Sequence, residues 1–191
     1  MREVSLRYCN VAGDEVTTTW REARAELIVE GLPVRIPPSY RGQGNYPGLF
    51  WSATNRRTLV YESLLELDRL WLADFDPTVV GIATQPFQIT GSGTGAQPSH
   101  VPDVLLVHVD RTVTLVDVKP AEFLDNPARS QFDWTRGLCR EKAGGTRSSR
   151  RRSSRAAQHQ GRGGRSSLRA TTDRCPGPGT GGSCPRGPHP E

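Results

Sequence analysis

Residues 101–120 read VPDVLLVHVDRTVTLVDVKP. Two apolar runs rich in valine and leucine flank Asp110-Arg111, and this predicts a hairpin of two strands. Pro102-Asp103 opens the first strand, and Asp117-Val118-Lys119 closes the second. Side chains alternate along a strand, so Asp117 and Lys119 are expected on one face. Two carboxylates at neighbouring strand ends offer hard oxygen ligands of the kind that suit Mg²⁺. An ammonium beside a cation that activates water is the equipment of a phosphodiester-cleaving site. The plain alternative is two ordinary strands whose ends carry solubilising charge.

Working outward, Val79 to Ile82 and Gln85 to Ile89 read as strand with an irregularity at Thr84, and Gly91 to Ser99 as a loop. A helix is expected from about Thr58 to Ala73, with Leu64, Leu67, Leu70 and Phe75 on its apolar face. Glu62 would sit near its start, either as a plain dipole-stabilising carboxylate or, if the helix packs on the sheet, pointing toward the two aspartates, and Glu66 can pair with Arg69. Val4 to Cys9 and Val16 to Trp20 are expected to pair across the turn Asn10–Asp14. Residues 21–32 are ambiguous between helix and strand. The segment PVRIPPSYRGQGNYPG, residues 33–48, is an irregular loop with Arg35, Tyr40, Arg41 and Tyr46 close together. Asn126 and Pro127 mark the start of a second helix running to about Arg140. Glu122 and Asp125, on the loop before it, read as solvated charge.

Composition changes near Lys142. The last 49 residues carry ten arginines against Asp173 and Glu191, a balance of +8, which leaves −3 for residues 1–142 of a chain whose net charge is +5. Leu168 is the single large apolar residue among those 49. Such a segment cannot bury enough apolar surface to offset its ordering entropy, so disorder is expected. GC-rich DNA read out of frame encodes this composition, and an arginine-rich tail that binds DNA non-specifically is the alternative. The expected organisation is 1–57 for the N-terminal strands and basic, aromatic loop, 58–142 for the core, and 143–191 for the tail. The four cysteines match no zinc signature, no stretch approaches the length of a membrane helix, and a cytoplasmic protein is the simplest expectation.

Four segments, YESLLELDRLWLADFDP, TQPF, HVPDVLL and LVDVKP, follow one another in the order and spacing of a known family. They resemble TnsA, the endonuclease subunit of heteromeric transposases, within the PD-(D/E)xK nuclease superfamily. PPSYRGQGNYPGLFWSATNRRTLVYES resembles the actinobacterial members in particular. The resemblance spans about residues 30–142. It implies an α/β, restriction-endonuclease-like core with a mixed central sheet flanked by helices. A further strand after the second helix belongs to that pattern, and residues 143–191 offer none, so a truncated core is expected. The resemblance implies Glu62, Asp103, Asp117 and Lys119 as catalytic residues, the three acids as ligands of Mg²⁺ or Mn²⁺, and Gln85 in support. Arg35, Arg41, Arg56 and Arg57 would clamp the DNA backbone, since phosphate contacts position DNA without reading it. The implied reaction is hydrolysis of the 5′ strand of double-stranded DNA at transposon ends, beside a TnsB-like transposase and a TnsC-like AAA+ ATPase. A stand-alone nuclease of the same superfamily and a catalytically incompetent DNA-binding remnant are the rival readings.

Overall fold

A computed structural model describes residues 4–37, 45–92, 97–120, 126–144 and 168–176. The N-terminal hairpin forms as expected, with β1 (Val4–Cys9) antiparallel to β2 (Glu15–Thr19). Its turn is closed by Asn10, whose Oδ1 accepts the backbone N–H groups of Ala12 and Asp14. The ambiguous stretch resolves into a short helix, α1 (Ala25–Val29). Gly31 follows it because the chain passes so near β1 that a Cβ would stand 2.1 Å from the Cys9 carbonyl oxygen.

The helix expected from Thr58 begins later. Residues Gly48–Ser52 and Arg57–Tyr61 form a hairpin, β3 and β4, and α2 spans Leu64–Asp74. Thr58, Val60 and Tyr61 favour strand, and Ser63 starts the helix by accepting the Glu66 N–H on its side chain. Ser63-x-x-Glu66 is a capping box visible in the sequence. The expected domain boundary at residue 57 therefore falls inside a hairpin. Asp74, at the end of α2, accepts bonds from Ser52 Oγ and from the Ala53 and Thr54 N–H groups, fastening helix to hairpin. Burial opposes ionisation of Asp74, but the bonds from Thr54, Ser52 and Ala53 outweigh it and hold the carboxyl below its ordinary range. That stability is present above pH ~4 and is lost as pH falls through the depressed value. Asp74→Ala should cost about 2 kcal/mol in urea unfolding at neutral pH, because two backbone donors lose a charged acceptor.

The strand pair expected before the central hairpin divides between two sheets. β5 (Val79–Thr84) pairs with β8 (Val104–His108), whereas β6 (Gln88–Gly91) pairs with β1 and with the short β7 (Ser99–His100). Gln85-Pro86-Phe87 makes the crossing, and Gln85 has a left-handed φ of 47°. The central hairpin is β8 and β9 (Thr112–Pro120). One sheet runs β2-β1-β6-β7, the second β10-β9-β8-β5 with β10 at Leu168–Pro176, and β3-β4 forms a third. A mixed sheet was expected, but every described pair is antiparallel. The connection is three residues, Val109–Arg111, where two were expected; the Arg111 N–H closes it on the His108 carbonyl, and so short a link permits no other pairing for β8 and β9.

β10 (Leu168–Pro176) overturns the expectation that the tail contributes no strand. It pairs along the whole of β9, with Thr171 opposite Asp117 and Arg169 opposite Lys119. Strand pairing draws on backbone N–H and C=O groups, which apolar composition does not count, and Thr171 and Thr172 suit a strand. β9 is thereby taken off the sheet edge. The rest of the tail lies outside the described residues.

The second sheet is buried on both faces. Leu105, Val113 and Leu115 join Leu6, Phe87, Ile89 and Ile28 on one side. Val104, Val116 and Ile82 join Phe50, Leu59 and Leu70 on the other. This explains why VLLV reads as a continuous apolar run. α3 (Asn126–Gly144) closes the first core: Trp20 Nε1 donates to the Leu138 carbonyl, and Lys142 Nζ donates to the carbonyls of Trp20 and Ala23. Phe75, expected on the apolar face of α2, is 78% exposed and stacks on Trp71 instead.

Candidate acidic active-site pocket

Where β8 begins and β9 ends, the sheet meets the N-terminus of α2 and the side of α3. A cavity of about 520 Å³ lies there, lined by Glu62, Glu66, Asp103, Asp117, His100 and Arg35 among others. Register places the two aspartates side by side, one residue beyond the Val104–Val116 pair. Asp103 Oδ2 accepts the Val118 N–H at 2.7 Å, which ties the acid of one strand to the backbone of the next. Burial, then the charges of Glu66, Asp117 and Glu62, push the Asp103 carboxyl up to about 8 against the Val118 bond. A carboxyl that holds its proton at neutral pH is one taken out of water, with other acids close by.

Asp117 is buried, and His100 Nε2 lies 2.9 Å from its Oδ1. The Phe132 ring of α3 stands edge-on to that imidazole. Glu62 precedes the Ser63 cap and so lies outside α2, a correction to its expected place on the helix. Its Oε1 pairs with Arg35 Nη2 at 2.7 Å. Glu66 does not pair with Arg69: its carboxylate accepts the Glu62 N–H and the Ser63 hydroxyl. Burial pushes Glu66 upward, opposed by those two bonds. Arg69 lines a separate cavity with Asp76, Val104 and Val116.

Gln85 is fully buried behind this pocket. Its N–H donates to the Asp103 carbonyl, its carbonyl accepts from Val34, and its Oε1 accepts the Arg35 Nε–H at 2.8 Å. The strained residue at the crossing between sheets thus holds both an acid-bearing strand and the arginine of the basic loop. Lys119 lies in β9 two residues past Asp117, and its side chain falls outside the described residues, as do Arg41, Glu122 and Asp125. Arg57 donates both terminal nitrogens to the Val29 and Glu30 carbonyls, which commits it to the end of α1. Arg56 occupies the β3–β4 turn with a φ of 54°.

Sequence reasoning thus placed Glu62, Asp103 and Asp117 in one pocket, and it missed Glu66 and His100. The capping box pointed to the first, and His100-Val-Pro-Asp103 lies in the quoted motif. Among the described residues no three His, Cys, Asp or Glu side chains stand as a ready-made metal cluster. Each acid faces a partner of its own: His100, Arg35, the Val118 N–H or the start of α2. The donor set still fits a hard divalent cation by type, because among the described residues four carboxylates line the cavity with one guanidinium. No family model matches the chain, and no curated protein or solved structure is significantly similar to it.

Proposed function

We propose that the chain is a metal-dependent DNA endonuclease, the subunit that cuts the 5′ strand at transposon ends beside a TnsB-like transposase and a TnsC-like AAA+ ATPase. The observation that carries this reading is the convergence of Glu62, Glu66, Asp103 and Asp117 on one cavity beside the end of β9. The order of the TnsA-like motifs along the chain supports the same conclusion. Asp103, Asp117 and Glu62 would hold Mg²⁺ or Mn²⁺, with Glu66 as a fourth oxygen donor. Bound there, the cation supplies Lewis acidity and a water of lowered pKa. Asp103 would ligate as the carboxylate, its proton passing to solvent, Lys119 would stabilise charge developing on the phosphate, and His100 would fix the carboxylate of Asp117. Gln85 sets the distance between Asp103 and the arginine that contacts Glu62.

Nicking of supercoiled DNA bearing a transposon end, with the partner transposase present, tests the reading. Cleavage is expected with Mg²⁺, and Lys119→Ala should slow it by about 10²-fold or more. A folded wild type that binds no divalent cation and nicks no DNA would overturn the proposal. A second reading is a DNA-binding remnant without catalysis, since among the described residues each acid of the pocket already has a partner of its own. Retained DNA binding with cation-independent silence in the nicking assay would select it.

A further inference from the structure

Among the described residues, the one guanidinium lining the acidic cavity is that of Arg35, and it is held at two points. Nη2 contacts Glu62 Oε1 at 2.7 Å, and Nε donates to Gln85 Oε1 at 2.8 Å. Gln85 is fully buried and its backbone is bonded to both Val34 and Asp103, so the second anchor is a rigid one. Arg35 itself is half exposed, with 51% of its side chain accessible. A cation seated on one of the four carboxylates by a rigid glutamine and open to solvent has the geometry of an occupant that can be exchanged.

Resting on the reading of this cavity as a divalent-cation site, we propose that Arg35 is its resident cation and competes with the metal for Glu62. In the metal-free protein Arg35 neutralises Glu62 and occupies its Oε1. When Glu62 joins the metal, the guanidinium is released from that carboxylate at the mouth of the same cavity, where a phosphodiester would enter. The arginine expected to clamp DNA would then be free to do so only in the loaded state.

Calorimetric titration with Mg²⁺ of the wild type, Arg35→Gln, Glu62→Gln and the double variant tests this, with circular dichroism confirming each fold. Arg35→Gln should tighten Mg²⁺ binding roughly fivefold, the scale of a partly exposed ion pair. In the Glu62→Gln background the same change should do nothing, because the contested ligand is gone. Equal tightening in both backgrounds would mean a general charge effect and would overturn the competition, as would unchanged affinity in Arg35→Gln. Arg35→Lys guards against a folding defect: its single ammonium cannot span Glu62 and Gln85 together, so intermediate tightening is expected, and wild-type affinity would count against the proposal. Wild type and Arg35→Gln both failing to bind Mg²⁺ would sink the metal site itself, an outcome distinct from a site that binds without competition.

Discussion

Asp103→Asn is expected to abolish DNA cleavage while stabilising the metal-free protein at neutral pH. Loss of activity should exceed about 10²-fold, because removing even an outer partner of a metal ligand costs 10- to 100-fold. The gain in stability follows from the burial of the carboxyl and, after it, from the acidic charges around it. Burial and the charges of Glu66, Asp117 and Glu62 raise the Asp103 carboxyl to about 8, whereas in the unfolded chain it titrates near 4. A raised carboxyl contributes stability that is complete below pH ~4 and is lost as pH rises through about 8, because the unfolded chain ionises first. Asparagine does not ionise and escapes that loss. At pH 7 the variant should be more stable by an amount on the order of 2 kcal/mol. Urea unfolding of both proteins from pH 4 to pH 9 checks this. The difference should grow with pH and level off above about 8. A variant less stable than wild type at pH 7, or a difference that shrinks as pH rises, would contradict the electrostatic account of the pocket. Addition of Mg²⁺ should stabilise the wild type and leave the variant nearly unchanged, since only the wild type gains a ligand.

Phe87→Ala is expected to cost about 3–5 kcal/mol, a large part of the ~5–15 kcal/mol that holds a domain together. Phe87 is 1% exposed and packs between the two larger sheets, with the Trp20 ring 5.9 Å away. It closes the crossing at Gln85, so the cavity left by alanine adjoins the residue that anchors Asp103 and Arg35. The variant should therefore lose cleavage at a lower temperature than it loses helical signal. Phe75→Ala provides the contrast: that ring is 78% exposed, and its removal should change stability by no more than about 0.5 kcal/mol. Chemical denaturation of the pair decides. Similar losses in both would mean that the core is not seated on Phe87.

Along the chain the two phenylalanines look alike, each an aromatic in an apolar pattern within two residues of a proline. The difference between them shows how far local pattern reaches. The β8–β9 hairpin was legible because its alternation, its turn residues and its pairing all lie within twenty residues. The acids at its two ends were legible for the same reason, since register alone makes neighbours of Asp103 and Asp117. The start of α2 was misjudged although Ser63-x-x-Glu66 announces it, because the leucine period extends back toward β4 and hides the cap. β10 was invisible to a reading based on apolar content, since its ladder with β9 is made by the backbone.

By itself, then, the sequence determined the central hairpin, the two aspartates at its mouth, the amphipathic body of α2 and the absence of a zinc pattern, all of which depend on residues close together in the chain. Only the tertiary structure decided that Gln85 leads the chain from one sheet to another, that Glu66 and His100 enter the pocket, that Arg35 rather than Arg57 faces the acids, and that β10 covers β9. Those outcomes join residues far apart in the chain, as Arg35 with Gln85 and His100 with Asp117. They depend on which buried polar groups find a partner once the sheets have packed, and no spacing along the chain encodes that.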